Sequence, residues 1–481
     1  MRSTLLPVLA LLCGCASVRP LTDSPANAKR LADSVDWKQT GDEVTTLLTD
    51  YLRVDTTNPP GNEDRGAHFL EAFLAKEGIP STLYEFAPGR SSLVARLSPT
   101  GPAKDKPLCL LSHLDVVTAE PSEWSHAPLS GVVDASDANG PVIWGRGALD
   151  MKGMGAIETM TLVLLKRLNV PLTREVILIA AGDEEVNSLG MKDLVEHHWK
   201  ELDCGVMVNE GGVGLKDLFS KGQTVFPITV AEKGALWLEL VADGEAGHGS
   251  TPMATRAPTR LARALEVLAT RQPTPVISEA LYELLRRVGE ASGGVQGFVL
   301  QHPALVDGFA MKKLMAAPPV RAAITNTCQV TGFDGKGSAP NVIPSRVSAI
   351  VDCRVLPGTT PEQLLKELRF LLSGVDHVTL QVLHQSTATS STWDDPFFDA
   401  LERQLRRGRP DIVVGPALSP GFTDSNLARP MGVKAYGLVP FEIDGELLGT
   451  MHGKNERLPV AQLTHGLEVL FRAVLDVSAA P

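Results

Sequence analysis

The chain has 481 residues, 43% hydrophobic and 21% charged, with a net charge of −11. That length and balance suit two globular domains, and the excess acid argues against nucleic acid or an anionic membrane surface as a partner. Aromatic residues, at 5%, supply no stacking platform for bases or sugars.

At the N-terminus, Arg2 precedes an apolar stretch over residues 5–12 that is too short to span a bilayer. A charged start, a short apolar run and small residues behind it make a secretory signal. The segment Leu12-Cys13-Gly14-Cys15-Ala16-Ser17 resembles a bacterial lipoprotein processing box. That pattern implies cleavage before Cys15, acylation of Cys15, and a lipid anchor holding the exported protein to the cell envelope, facing the periplasm. A plain secretory signal with two incidental cysteines is the alternative. Residues 16–41, rich in Ser, Asp, Asn and Pro, then read as a tether.

From 42 to 226 strand-like and helix-like segments alternate. A helix is expected over 65–77, closed by Gly78, and buried strands over 108–111, 176–181 and 206–208. This βαβ order implies an α/β domain with a mostly parallel sheet and helices on both faces. From 227 the pattern becomes strand 235–241, helix 258–270, strands 325–331 and 346–355, helix 361–372 and strand 378–383, a βαββαβ order that suits a small α+β domain. Residues 273–322 interrupt it as a helical, Pro-rich insertion. The α/β order returns over 386–481, so the small domain, 227–385, is inserted into the large one. Cys109 and Cys204 read as apolar core thiols. Cys328 and Cys353 fall on successive strands, but spacing alone gives no reason to pair them, and no bridge is expected. No four-cysteine zinc pattern exists.

The chemistry gathers where strands end. Leu108–Leu111 runs into Ser112-His113-Leu114-Asp115, Val176–Ala181 into Gly182-Asp183-Glu184-Glu185, and Val206–Val208 into Asn209-Glu210. Asp150 lies just before a helix expected from Lys152 to Leu168. In an open parallel sheet, ligands bind at the carboxyl ends of the strands. A histidine and several carboxylates delivered to that edge make a hard, oxygen-rich metal site. Asp115 suits a carboxylate that accepts the second N–H of a ligating His113. Of the adjacent Glu184 and Glu185, one can ligate metal while the other faces a bound water as general base. Taken singly, each has a plain alternative: a surface His-Asp pair, a helix N-cap, or a solvated acidic turn.

Together with Gly145–Gly153, Met451-His452-Gly453 and Asp183-Glu184-Glu185, these segments resemble the di-zinc peptidases and amidohydrolases that include aminoacylase, carboxypeptidase S and glutamate carboxypeptidase. The resemblance implies two zinc ions per chain, with cobalt or manganese as possible substitutes. It gives Asp150 as the bridge, His113 and Glu210 at one ion, and Glu185 and His452 at the other. Glu184 is then the general base and Asp115 the orienting carboxylate. Gly247-His248-Gly249-Ser250-Thr251-Pro252 matches the segment whose histidine polarises the scissile carbonyl, often from the partner subunit of a homodimer; the family's usual serine is Gly249 here. By the same resemblance Asn341 and Thr423 line the substrate pocket, Arg354 grips a free carboxylate, and the small domain is a lid and dimerisation domain.

The expected activity is hydrolysis of an amide or peptide bond in a small peptide or N-acyl amino acid, releasing an amino acid with a free carboxylate. The alternatives are a dipeptidase or small-metabolite deacylase on the same scaffold, and a non-catalytic peptidase-like binding ectodomain.

Overall fold

The computed structural model describes residues 21–481 apart from 137–139, 218–220, 252, 336–338 and 410. The signal, with Cys15, and Pro252 of the His248 segment therefore lie outside the described residues.

The large domain is built on a nine-stranded sheet whose central four strands, Val176–Ala181, Leu108–His113, Val206–Lys216 and Lys434–Ile443, run parallel in that spatial order. An antiparallel hairpin, Ser81–Ala87 with Arg90–Leu97, extends one edge; it carried no signal in the sequence reading. Both faces are covered, which explains the unbroken apolar runs. Along the strand Leu108–His113, Leu108 and Leu110 join a core with the helices Lys152–Arg167 and Val460–Ser478, while Cys109 and Leu111 join a second core on the other face. Register aligns the carboxyl ends: His113 lies opposite Ala181. The functional rim is therefore one edge of one sheet.

The small domain is a four-stranded antiparallel sheet in the order Thr327–Asp334, Arg346–Val355, Gly234–Asp243, Val378–Gln385. Its helices Ala257–Ala269 and Pro361–Leu371 pack on one face over Leu236, Leu238, Leu240, Val347 and Val351. By strand alternation Trp237, Asp352 and Arg354 occupy the other face.

Four expectations are corrected. The strand Thr224–Glu232 belongs to the large sheet, so the chain leaves the large domain at Lys233–Gly234, later than 227. It returns with Thr389–Ser390, which pairs with Glu232 and Ala231. The two connecting segments touch there: a Cβ on Gly234 would lie 2.2 Å from the Ser386 carbonyl oxygen, so only glycine fits. The helical insertion packs on the large domain, because Leu281, Leu284, Leu285 and Val288 find their apolar complement in Val225, Val413 and Ala417. In the expected tether, residues Ala26–Asp33 form a helix that buries Ala28, Leu31 and Ala32 in the main core. Finally, all four cysteines among the described residues are paired, Cys109 with Cys204 and Cys328 with Cys353. Cys328 and Cys353 are direct cross-strand partners. Cys204 lies just before the strand beside Cys109, with Cα atoms 5.9 Å apart.

Candidate metal centre and active site

Each candidate ligand is aimed by a local break in regular structure. His113 is the last residue of its strand. The strand through Glu210 does not stop at Val208 but continues to Lys216, with a bulge where Asn209 and Gly212 face consecutive residues Gly437 and Leu438. A bulge turns its extra residues out of the ladder, and here those residues are Glu210 and Gly211. The glycines behind it are obligatory: a Cβ on Gly212 would overlap the Pro227 carbonyl oxygen at 1.5 Å. Asp183 and His452 take left-handed conformations, φ 69° and 55°, which turn the chain sharply at both acid-bearing loops.

These side chains converge on Asp150. His113 Nε2 lies 3.1 Å from Asp150 Oδ1 and 3.9 Å from Glu210. His452 Nε2 lies 3.0 Å from Asp150 Oδ2 and 3.1 Å from Glu185 Oε1. The two oxygens of one carboxylate thus face two different histidines. Donor atoms of His113, Asp150 and Glu185, and again of His113, Glu184 and Glu210, fall within 4.8 Å of one another.

Charge in this pocket is out of balance. Burial first, then the neighbouring Glu210, Asp424 and Glu185 carboxylates, raise the Glu184 pKa well above the usual range. Burial and the Asp150 charge do the same to Glu210. Burial alone would lower the His113 pKa, but hydrogen bonding to Asp150 and the acidic neighbours raise it well above that of a free imidazole. Hydrogen bonds to Asp150 and Glu185 lift His452 to about 10. Two imidazoles and four carboxylates, an excess of acid over base even with both rings protonated, fit divalent cations.

A surrounding shell holds these groups, and here the expected role of Asp115 is corrected. The N–H of His113 faces the Asp115 backbone carbonyl: Nδ1 is 2.9 Å from that oxygen and 3.8 Å from the carboxylate. The carboxylate instead accepts the backbone N–H groups of Glu184 (3.1 Å) and Glu185 (3.2 Å) and the Asn58 amide (2.9 Å). Asp115 therefore fixes the turn that presents both glutamates. Asn58 also donates to Asp183, which Arg90 binds at 2.6 Å. Glu456, given no role in the sequence reading, is fully buried and accepts from the backbone N–H groups of Gly147, Leu149 and Asp150 and from Arg146 at 2.6 Å. Only its place three residues beyond His452-Gly453 hinted at it.

Thr423 is also corrected. Its hydroxyl donates to Glu232 (2.9 Å) and accepts from Asn209 (3.1 Å) and the Ser425 N–H (3.1 Å), so it braces the Glu210 strand and has no donor left for substrate. Glu232 in turn pairs with buried Arg429 at 3.2 Å. Asp424 next to it is buried, and burial pushes its pKa up to about 7 against the lowering effect of nearby Ser188.

The small-domain residues stand apart. His248 and Asn341 are brought together on a short ladder pairing His248 with Val342, the Asn341 amide lying 3.1 Å from His248 Nε2. Both are exposed, and among the described residues no hydrogen bond or ion pair links them to the metal-centre side chains. Arg354 is already engaged: it forms a bidentate pair with Asp352 at 2.8 and 3.0 Å, and its guanidinium lies 4.9 Å from the ring centroid of Phe422, in the large domain.

The model of peptidase family M20/M25/M40 matches residues 109–476. The chain is 26% identical over 446 residues to aminoacylase-1B of Rattus norvegicus, spanning 91% of this chain and 95% of that protein. It is 27% identical over 382 residues to the Homo sapiens N-fatty-acyl-amino acid synthase/hydrolase PM20D1, spanning 77% and 74%. Its fold is similar to the M20 family metallo-carboxypeptidase Sso-CP2 of Sulfolobus solfataricus, with TM-score 0.68 and 20% identity over 90% of this chain and 99% of that one.

Proposed function

Because the chain belongs to peptidase family M20/M25/M40, we propose that it hydrolyses an amide bond whose leaving group is an amino acid with a free α-carboxylate. The observation that carries this reading is Asp150, whose two oxygens each face a different histidine, at 3.1 and 3.0 Å. A carboxylate so placed could serve two cations at once. His113 and Glu210 would hold one ion, Glu185 and His452 the other, with zinc favoured and cobalt or manganese able to use the same ligands. When bound, such a pair polarises a carbonyl and lowers the pKa of water.

The remaining steps belong to the chain's own groups. Glu184 takes the proton of the attacking water and delivers it to the leaving amine. Its buried, acid-crowded setting raises its proton affinity, which suits holding the proton between the two transfers. His248, oriented by Asn341, donates to the developing oxyanion, from the partner subunit of a homodimer or by closure of the small domain. Arg354 receives the substrate carboxylate by exchanging it for Asp352, one bidentate partner for another. The acyl side of the bond is taken to be a peptide or an acyl chain.

Export to the envelope is supported by the Leu12–Cys15 box and by the two disulfides, which persist in oxidising compartments. The activity is tested with a panel of N-acyl amino acids and peptides, each paired with its C-terminal amide, read for released amino acid. Turnover of the acids alone is expected. Equal turnover of the amides would remove the carboxylate handle from the reading, and no turnover by metal-loaded protein would reject hydrolysis altogether.

A further inference from the structure

The helical insertion has two apolar faces, and only one is covered. Leu281, Leu284, Leu285, Val288, Leu300, Val306 and Leu314 are buried against the large domain. On the outside, Val295 is 83%, Phe298 57% and Phe309 78% exposed. A groove of about 470 Å³ lined by Val299, Leu300, Phe309, Leu314 and Val320 opens beside them. Single exposed apolar residues need no explanation, but a contiguous patch with a groove marks an interaction surface.

Two further observations select the partner. Against a chain of net charge −11, residues 294–324 carry Lys312, Lys313 and Arg321 and a single carboxylate, Asp307. Both lysines are exposed and follow Phe309 by three and four residues. Phenylalanines beside lysines, on helices that do not span a bilayer, suit the interface of an anionic membrane. The position of the N-terminus agrees. Thr22 and Ser24 are held by Arg403 and Gln404 of the helix Pro396–Leu405, and Glu402 of the same helix binds Arg287 of the insertion at 2.6 Å. Cys15 precedes Leu21 by six residues, a reach of about 20 Å at full extension. A lipid on Cys15 would therefore keep the bilayer within reach of the helix Pro396–Leu405, against which the insertion packs through Arg287.

We propose that the outer face of the insertion, centred on Phe298 and Phe309, docks on a lipid bilayer surface with Lys312 and Lys313 at the headgroups. The proposal draws on the anchor for its orientation and owes nothing to the catalytic reading.

The test uses the purified full-length protein with vesicles of phosphatidylethanolamine and phosphatidylglycerol. A Val295→Cys variant carries an environment-sensitive fluorophore, and a Phe370→Cys variant, exposed on the small domain, is the control. Lipids bearing a nitroxide on the acyl chain should quench the label at 295, shift its emission to the blue and leave the label at 370 unchanged. Phe298→Glu and Phe309→Glu together should abolish that quenching while hydrolysis of a soluble substrate is unaltered. Failure to associate with vesicles, or equal quenching at both positions, would overturn the proposal. So would a dimer in vesicle-free solution that the double variant splits, since the face would then belong to a second copy of the chain.

Discussion

The rim of the large sheet and the outer face of the small sheet handle polar groups in opposite ways. On the rim His113 and Asp150 are buried, Glu184, Glu185 and Glu210 are partly buried, and most are held from behind: Glu184 and Glu185 by Asp115, the Asp150 loop by Glu456, Glu210 by the Thr423–Glu232–Arg429 chain; His452 alone of the set is exposed. On the small domain His248 and Asn341 lie open to solvent, and Arg354 is partnered by its own neighbour, Asp352. The contrast separates two tasks. Groups that must share a cation have to be rigid before it arrives, because their mutual repulsion would scatter them. In the proposed mechanism, the groups that meet the substrate can wait in relaxed, solvated states until it brings the domains or subunits together.

This division predicts a graded set of losses. Asp150→Ala should have the largest effect, removing both activity and bound metal, because one residue serves both histidine groups; elemental analysis and turnover read it together. Glu184→Gln should keep its metal and lose about 10²–10⁴-fold in rate, the range for a general base. Activity near wild type would mean that the paired glutamates have been assigned the wrong way round. Asp115→Ala, which touches neither substrate nor cation in the proposed scheme, should cost about 10–100-fold through the released Glu184-Glu185 turn. A loss confined to thermal stability, with kcat intact, would break the claim that the rim needs its backing.

The small-domain effects should be milder and selective. Arg354→Ala should cost about 1.5–3 kcal/mol, the scale of a charged hydrogen bond, expressed in KM and only for substrates with a free carboxylate. Asp352→Asn should act in the opposite sense, lowering KM for the same substrates by freeing the guanidinium. The smallest effect lies at the junction. Lys233 is buried, donates to the Thr325 carbonyl at 2.6 Å, and has its pKa lowered to about 8 by burial and by nearby Arg354. An unfolded lysine keeps its proton to about 10.4, so between these values the unfolded chain binds more protons and stability rises with pH. Lys233→Met should lose that rise, measured as the difference in denaturation midpoint between wild type and variant from pH 7.5 to 10.

The elements that make the rim were legible because they are written locally. An apolar run long enough for a buried strand, closed by His113 or by the Gly182-Asp183-Glu184 exit, states both the strand and the place where it ends; the run before Glu210 states only the strand, which continues to Lys216. The order of the small domain was legible for the same reason, through alternation and helical spacing. What escaped was written across distance. Asp115 and Glu456 act through backbone N–H groups that no side-chain pattern reveals. The Glu210 bulge is a property of two strands rather than one. The insertion follows a helix of the small domain in sequence, and only the apolar complement on the strand Val413–Ser419 draws it to the large one. The cysteines looked like core thiols because their neighbours are core residues; pairing depends on register, which spacing does not contain.

The two disulfides also set a sorting problem for folding. Four cysteines can pair in three ways. The native pairing, Cys109 with Cys204 and Cys328 with Cys353, closes separations of 95 and 25 residues, each within a single domain. Both alternatives would tie the small domain to the large one, at the amino ends of the strands Leu108–His113 and Val206–Lys216. Under the proposed export, order of translocation favours the right choice, since Cys109 and Cys204 reach the oxidising compartment before Cys328 and Cys353 do. A chain refolded all at once from the reduced state loses that head start, and a fraction of it should be trapped as oxidised, compact molecules whose two domains can no longer move relative to each other.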